Sequence, residues 1–306
     1  MIIPKKILNE IAAICRAFLW TGQASSTRPG RIAWDLVCNS KNSGGLGFKD
    51  SSDWNIAAIG KYIWAIAEKK DNLWVKWVHH VYIKQVDWWD YIAPVSSSWY
   101  WKKIVEVKEK FKKLISVQQV KTEGYQISYG YNIIHTDLGL VHWTKVVWGR
   151  LNTPKHSFIL WLAIHDRLNT KERLKRHRVI ENSDCLLCGL FEESCDHLFF
   201  NCSFTIRCYQ QVLLWLNWKT ESTTLLKVTR WIERAKVSTL RKHVYLAAIA
   251  ALVYQLWRVR NEVFWLGKFT QPERIVQNTK FSVKTRITYI MPKKLSQKNL
   301  DWFRNL

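Results

Sequence analysis

Apolar side chains recur at three- and four-residue steps along most of this chain, the spacing that gathers one face of an α-helix against a core. Residues 3 to 21 show it first, and Ser25 to Gly30, with its Pro and Gly, reads as the loop that follows. A second turn falls at Ser43-Gly44-Gly45. Trp54, Ala57, Ala58, Tyr62 and Ile66 then share one helical face, as do Trp74, Trp77, Val78, Val81 and Tyr82. These tryptophans are expected in a core and not as base-stacking platforms. The stretch from Trp99 to Ile115 predicts a further helix, on which the segment Lys108 to Lys113 reads as a solvated face.

Between Val117 and Ile134 the pattern changes. Alternating residues around Gly124 and Gly130, several of them Tyr and Ile, predict a short β-hairpin or a loop with one strand, with a domain boundary nearby. Helical spacing returns at Thr153-Pro154, where a capping hydroxyl precedes a Pro at the first helical position and Phe158, Trp161, Leu162 and Ile164 form the buried stripe. Asn169 and Thr170 open the next helix, with Asn169 three residues before Glu172 in capping-box spacing. That helix carries Lys171, Arg173, Lys175, Arg176 and Arg178, the densest basic run in the chain. Residues 204–218, 222–236 and 238–266 read as helices, the last with an Ala- and Leu-rich interior. The expected fold is mainly α: a helical region 1–120, a helical segment 121–218 containing the short hairpin or strand, and a C-terminal helical tail 219–306.

Charge adds what periodicity cannot. Among 306 residues, 47 Lys and Arg face 24 Asp and Glu, a formal charge of +23. Such an imbalance repels itself unless a polyanion offsets it, so nucleic acid is the expected partner class, against a solvated basic surface with no specific partner. Glu10 and Arg16 interrupt the N-terminal apolar stretch where a secretory signal needs continuity. The longest apolar run, Val244 to Tyr254, is 11 residues, short of the ~20 that span a bilayer. An intracellular protein without a membrane partner is expected, its seven cysteines reduced.

Five of those cysteines fall between positions 185 and 208, and Cys185, Cys188, His197 and Cys202 stand in the pattern C-x2-C-x8-H-x4-C. Three thiolates and one imidazole complete a tetrahedral zinc shell and leave no position for water, so the expected Zn2+ is single and structural. Gly189 can supply the tight turn after the second thiolate. Ordinary buried thiols are the competing reading, but they have no reason to adopt ligand spacing at both ends of one segment. Cys195, two residues before His197, is a rival ligand, and Cys208 reads as a core residue on a helix.

Pro154-Lys155-His156-Ser157-Phe158, Trp161-Leu162-Ala163, Arg167-Leu168-Asn169-Thr170, the two cysteines of Cys185-x2-Cys188, and Asp196-His197-Leu198-Phe199-Phe200-x-Cys202 together resemble the reverse-transcriptase zinc-binding domain of plant non-LTR retrotransposons. Trp34-Asp35-Leu36-Val37-Cys38, Gly44-Gly45-Leu46-Gly47-Phe48 and Asn55-x-Ala57, with Lys61 and Trp64, are similar to the segment between polymerase core and zinc domain in those polyproteins. The resemblance covers about residues 1 to 215. The tail, with Trp257, Arg258, Arg260, Asn261 and Phe264, is only loosely similar to family tails. What the resemblance implies is nucleic-acid contact by a domain that trails a polymerase, with nuclear residence and a polymerase encoded elsewhere as a further partner. It also implies a remnant or fragment, since Met1 falls beyond the family's polymerase region.

Catalysis is not expected. A polymerase needs metal-binding aspartates, usually adjacent, and no Asp-Asp pair occurs. After Cys208 the acidic residues are Glu221, Glu233, Glu262, Glu273 and Asp301, in no strand-rich setting that would suit a ribonuclease H site. His165-Asp166 and Glu192-Glu193 could be read as hydrolytic pairs, but helical neighbours point apart and His165 suits a cap or core place. Two readings stay open: a zinc-dependent nucleic-acid (RNA or DNA) module using Lys155, Arg167, Lys171, Arg173, Lys175, Arg176 and Arg178, or an inert or protein-binding remnant in which zinc only holds the fold.

Overall fold

The three-to-four spacing is realised as helix after helix in a computed structural model that describes residues 2–27, 29–114, 124–220, 224–291 and 296–306. The chain divides into two compact units, Met1–Gly139 and Leu140–Leu306.

In the first unit, α1 (Lys5–Thr21) ends where Gly22 turns left-handed at φ 71° and returns its N–H to Phe18. Only Leu8 and Ala17 of α1 are buried, and Ile7, Ile11, Ile14 and Phe18 stay exposed. After α2 (Trp34–Cys38), α3 (Ser51–Ala67) starts at Asp50, whose carboxylate accepts from the N–H groups of Ser52 and Asp53. Helix α4 (Leu73–Val78) and α5 (Trp99–Leu114) follow. The core gathers Ile59, Ile63 and Trp64 of α3 against Trp101, Ile104 and Phe111 of α5. Trp64 stacks on Tyr125 at 4.8 Å and meets the edge of Phe111 at 5.3 Å. Truncating so buried an indole typically costs about 3–5 kcal/mol.

The expected solvated face at Lys108–Lys113 is wrong at its first residue. The side chain of Lys108 is sealed from solvent, and its Nζ donates to the carbonyls of Trp88, Trp89 and Tyr91 at 2.7 to 3.2 Å. Those carbonyls lie in a non-helical stretch, where Lys112 also reaches Trp89 O and the Tyr91 N–H reaches Trp88 O, and the three acceptors hold the ammonium in the core.

The hairpin is also corrected. Residues 117–123 lie outside the described residues, but Ile127–Ile134 forms α6, packed along α3. Glycine there serves close approach, not turning: a Cβ on Gly130 or on Gly60 would run into the Tyr125 ring, wedged between the two helices. Among the described residues the only extended pairing is one isolated bridge, Asp184 with Glu192.

The second unit contains α7 (Thr144–Val147), α8 (Pro154–Ile164), α9 (Lys171–Arg176), α10 (Ser203–Trp215), α11 (Leu225–Arg234), α12 (Thr239–Leu266), α13 (Pro272–Ile290) and α14 (Gln297–Arg304). Helix α12 is its axis, capped by the Ser238 side chain and ended by Gly267 at φ 63°. Ala247, Ala248, Ala250 and Ala251 are all buried, and such small residues let α8, α13 and α11 crowd around one rod. Pro154 opens α8 after Thr153 as expected, but the Thr153 hydroxyl makes no capping hydrogen bond, and His165 ends the helix with its ring edge-on to Trp143 and Trp161. Of the three tryptophans expected in a core on the first two faces, Trp54 and Trp77 are exposed and Trp74 is half-buried, whereas Trp64, Trp88, Trp101, Trp143, Trp161, Trp218 and Trp257 are buried. Among the described residues no helix is long and apolar enough to cross a membrane.

Candidate metal centre

Cys185, Cys188, His197 and Cys202 converge. One ligand-capable atom from each lies within 4.8 Å of all the others, and three of the four residues are buried. The local chain explains the convergence. The N–H of Cys185 donates to Phe191 O at 2.7 Å and that of Gly189 to Cys185 O at 2.8 Å, closing a knuckle around the first two thiols. Gly189 sits at φ 70°, where a side chain would be strained, so the turn that follows Cys188 needs this glycine. On the other side the Ser194 hydroxyl accepts from the His197 N–H. A single wide turn, with Cys202 N–H donating to His197 O at 2.8 Å, then brings imidazole and last thiol to one side.

The spacings suit one zinc ion. Cys185 Sγ lies 3.9 Å from Cys202 Sγ, and Cys188 Sγ lies 3.3 Å from His197 Nε2. Zinc bonds of about 2.3 Å to sulfur and 2.0 Å to nitrogen imply tetrahedral edges of about 3.8 and 3.5 Å. The Cys185 thiol donates a hydrogen bond to Cys202 Sγ. The hydrogen bond from Cys185 pulls the Cys202 thiol well below its ordinary value, and the same bond, with burial, pushes Cys185 up. A dication that replaces this proton lets both sulfurs ionise. Three sulfurs and a nitrogen fill the shell, so the ion would staple the loop and activate no water.

Cys195 stands apart from this cluster. It is buried, and its thiol is pushed up by burial and by its hydrogen bond to Asp166. Cys208 is buried in α10, as a core residue.

Most of the basic residues lie on or beside α9, whereas Lys155 does not. Thr170, not Asn169, caps α9, its hydroxyl accepting from Arg173 N–H. The expected capping box does not form: the N-cap N–H of Thr170 donates to Leu168 O, and Glu193, not Glu172, meets the helix start by accepting from Lys171 N–H at 2.9 Å. Lys171 reaches Asn182, Lys175 reaches Ser183, Arg173 donates to Asp166 O and Arg176 pairs with Glu172. Arg178 sits past the helix end at φ 56°. Arg167 follows α8 and is half-buried, and Lys155 lies at the opposite end of α8 with its Nζ 5.0 Å above the Tyr254 ring.

Sequence reasoning missed the residue pair that holds this region together. Glu193 is fully buried, and Arg260 of α12 meets its carboxylate at 2.7 Å. The other oxygen of Glu193 accepts from Leu186 N–H, inside the knuckle, at 3.5 Å. A signal existed: Arg260 falls between Leu256 and Phe264 on an otherwise apolar helical face, where a cation needs a partner.

Comparisons with known proteins bear on this segment. Residues 125–209 match the family described as zinc-binding in reverse transcriptase. An Arabidopsis thaliana protein named as a ribonuclease H protein is 34% identical over 74 residues, 24% of this chain and 12% of that protein. A mitochondrial protein of Arabidopsis thaliana is 23% identical over 142 residues, 46% of this chain and 85% of that protein. The chain therefore spans only a small part of the first of these relatives. No solved structure matches. The four-residue cluster thus falls inside the segment that matches the family described as zinc-binding in reverse transcriptase, and its donor set suits one zinc ion.

Proposed function

We propose that this chain is a non-catalytic nucleic-acid-binding module, derived from a retrotransposon reverse transcriptase, in which one structural zinc ion held by Cys185, Cys188, His197 and Cys202 stiffens the surface that carries α9. The observation that carries this reading is the attachment of the basic helix to the metal knuckle. Glu193 accepts from Lys171 N–H and from Leu186 N–H, so the cations of α9 are presented by the same framework that zinc would hold. Lys155, Arg167, Lys171, Arg173, Lys175, Arg176 and Arg178 then neutralise phosphates, in a chain whose formal charge of +23 favours a polyanion. Residence in the nucleus and association with a polymerase encoded elsewhere follow from the same reading.

The test is binding across salt. Counterion release makes log affinity fall linearly with log salt, with a slope of about −0.9 per phosphate contacted on duplex DNA. Replacing Arg173, Lys175 and Arg176 together by Ala should shrink that slope by roughly two to three units. An unchanged slope would sink the assignment of α9.

A second reading, a protein-interaction remnant, draws support from α1. Ile7, Ile11, Ile14 and Phe18 form an exposed apolar stripe there, the kind of surface that marks a protein contact. Binding through that stripe would be insensitive to salt and lost in Ile14→Asp, which separates the two readings.

A further inference from the structure

The largest exposed indole of the second unit lies in a groove along α12. Tyr254, Trp257, Arg258, Asn261, Trp265 and Leu266, all on α12, line a shallow, open cleft of about 400 Å³ along one face of that helix. Trp265 is 75% exposed and Leu266 63%. Exposed large apolar side chains gathered in one cleft are costly in water unless something covers them.

The flanking charges indicate what does. Glu262, the one acidic residue lining the cleft, is held by Arg258, whose Nε donates to it at 2.9 Å. The remaining donors of that guanidinium stay available at the rim. Lys155 lies over the Tyr254 ring at one end, and the exposed Lys268 follows Gly267 at the other. The rim is net positive and the floor is aromatic. A protein partner with an apolar face would gain nothing from these cations, whereas an anionic chain carrying flat bases uses both features. Aromatic side chains accept bases on their faces only where those bases are unpaired.

The cleft is also built into the metal-bearing region. Arg260, which holds Glu193 beside the knuckle, lies 5.1 Å from the Trp257 ring and 4.9 Å from the Phe264 ring. Phe264 in turn meets Trp265 edge-on at 4.6 Å. The indole is thus buttressed from behind while it stays exposed, which lowers the ordering cost of stacking on it.

We propose that this cleft on α12 binds single-stranded nucleic acid, with Trp265 as the stacking platform, Arg258 and Lys155 on phosphates, and Asn261, whose Oδ1 accepts from Arg260 Nη1 at 3.0 Å, offering its amide NH2 to a base edge. The proposal rests on the nucleic-acid reading above and narrows it: α9 supplies affinity for any polyanion, and the cleft supplies preference for unpaired bases.

The test uses the full, zinc-loaded chain and fluorescence anisotropy with end-labelled oligouridylate, oligothymidylate and a blunt duplex of equal length. Trp265→Ala should weaken binding of both single strands roughly tenfold, the scale of one lost stacking contact. Trp265→Phe should recover most of that loss, and duplex binding should not change in either variant. The α9 triple replacement should weaken all three probes alike. If the parent chain binds single strands and Trp265→Ala binds them equally well, the cleft is not the platform and the proposal is overturned while the nucleic-acid reading stands. If the parent chain binds none of the probes, the nucleic-acid reading falls and this proposal with it. If Trp265→Ala instead converts a sedimenting dimer to a monomer without affecting single-strand affinity, the cleft joins two copies of the chain and the proposal is overturned.

Discussion

The guanidinium of Arg260 meets the carboxylate of Glu193 at 2.7 Å, with both side chains closed off from solvent. The pair spans 67 positions of sequence and links the long helix α12 to the loop that also carries Cys185 and His197. Removing one partner strands the other charge in a low-dielectric interior, which typically costs about 3–5 kcal/mol. Glu193→Gln and Arg260→Met should each destabilise the second unit on that scale in denaturant melts. The double replacement should cost less than the sum, because no unpaired charge remains. Since Glu193 also accepts from Lys171 and Leu186 N–H, zinc affinity should drop in Glu193→Gln as well.

Metal content separates the cysteines. His197→Ala should lose the ion, because three thiolates alone no longer close the shell, and Cys195→Ala should keep one zinc per chain, because Cys195 lies outside the cluster. Elemental mass spectrometry on reduced, chelator-free protein reads both outcomes. Chelation of the parent chain should loosen residues 185–202 first, visible as amide exchange confined to the knuckle.

How much of this could be read from the linear sequence depended on the range of the contact. The zinc quartet was legible because all four side chains fall within 18 positions and their spacing is itself the geometric requirement. Helix α8 was legible because Thr153-Pro154 is a local start signal. Lys108 was misread because a lysine in a run of charges looks solvated until carbonyls 17 to 20 residues away are known to need a donor. Glu193 and Arg260 escaped for the same reason at longer range. The segment around Gly130 failed differently: glycine with alternating aromatics is a turn signal, but here the glycine makes room for a ring from Tyr125, and α3 supplies the surface that turns a weak pattern into a helix.

Lys108 gives a direct stability test. Lys108→Met keeps the packing of the stem but takes from the Tyr91 carbonyl its lysine donor, whereas Trp89 O keeps Lys112 Nζ and Trp88 O keeps the Tyr91 N–H. One orphaned buried acceptor costs about 1–3 kcal/mol, so a loss on that scale is expected. Lys110→Ala, on the exposed side of the same helix, should stay within about 0.5 kcal/mol. Equal effects would place Lys108 in solvent.

Acid should act through His156. This imidazole is buried in α8 against Tyr254, and its Nε2 has no hydrogen-bond partner. Burial, with a smaller contribution from Lys155, pulls it from the ordinary 6.5 to about 4. Between those values the unfolded chain binds a proton that the folded chain refuses, so stability rises with pH. The contribution is fully present above about pH 6.5 and is lost as pH falls toward 4, up to roughly 3 kcal/mol. His156→Phe should flatten the acid side of the stability profile in this window, read by urea melts at successive pH values. An unchanged slope would mean that the ring is protonated in the folded state.

The wedge between α3 and α6 offers the last test. Tyr125 donates its hydroxyl to Ala57 O at 2.6 Å and lies across both Gly60 and Gly130. Neither glycine is explained by a left-handed φ, since only other positions adopt one, so each is explained by space alone. Gly130→Ala should therefore destabilise the first unit by about 1–3 kcal/mol, the cost of overpacking, although alanine is otherwise the better helix former. The atom that a Cβ at 130 meets first is the Tyr125 hydroxyl oxygen. In a Tyr125→Phe background that oxygen is gone, so Gly130→Ala should cost measurably less there than in the parent chain. A double-mutant cycle with no coupling would mean that the two helices do not close on this ring.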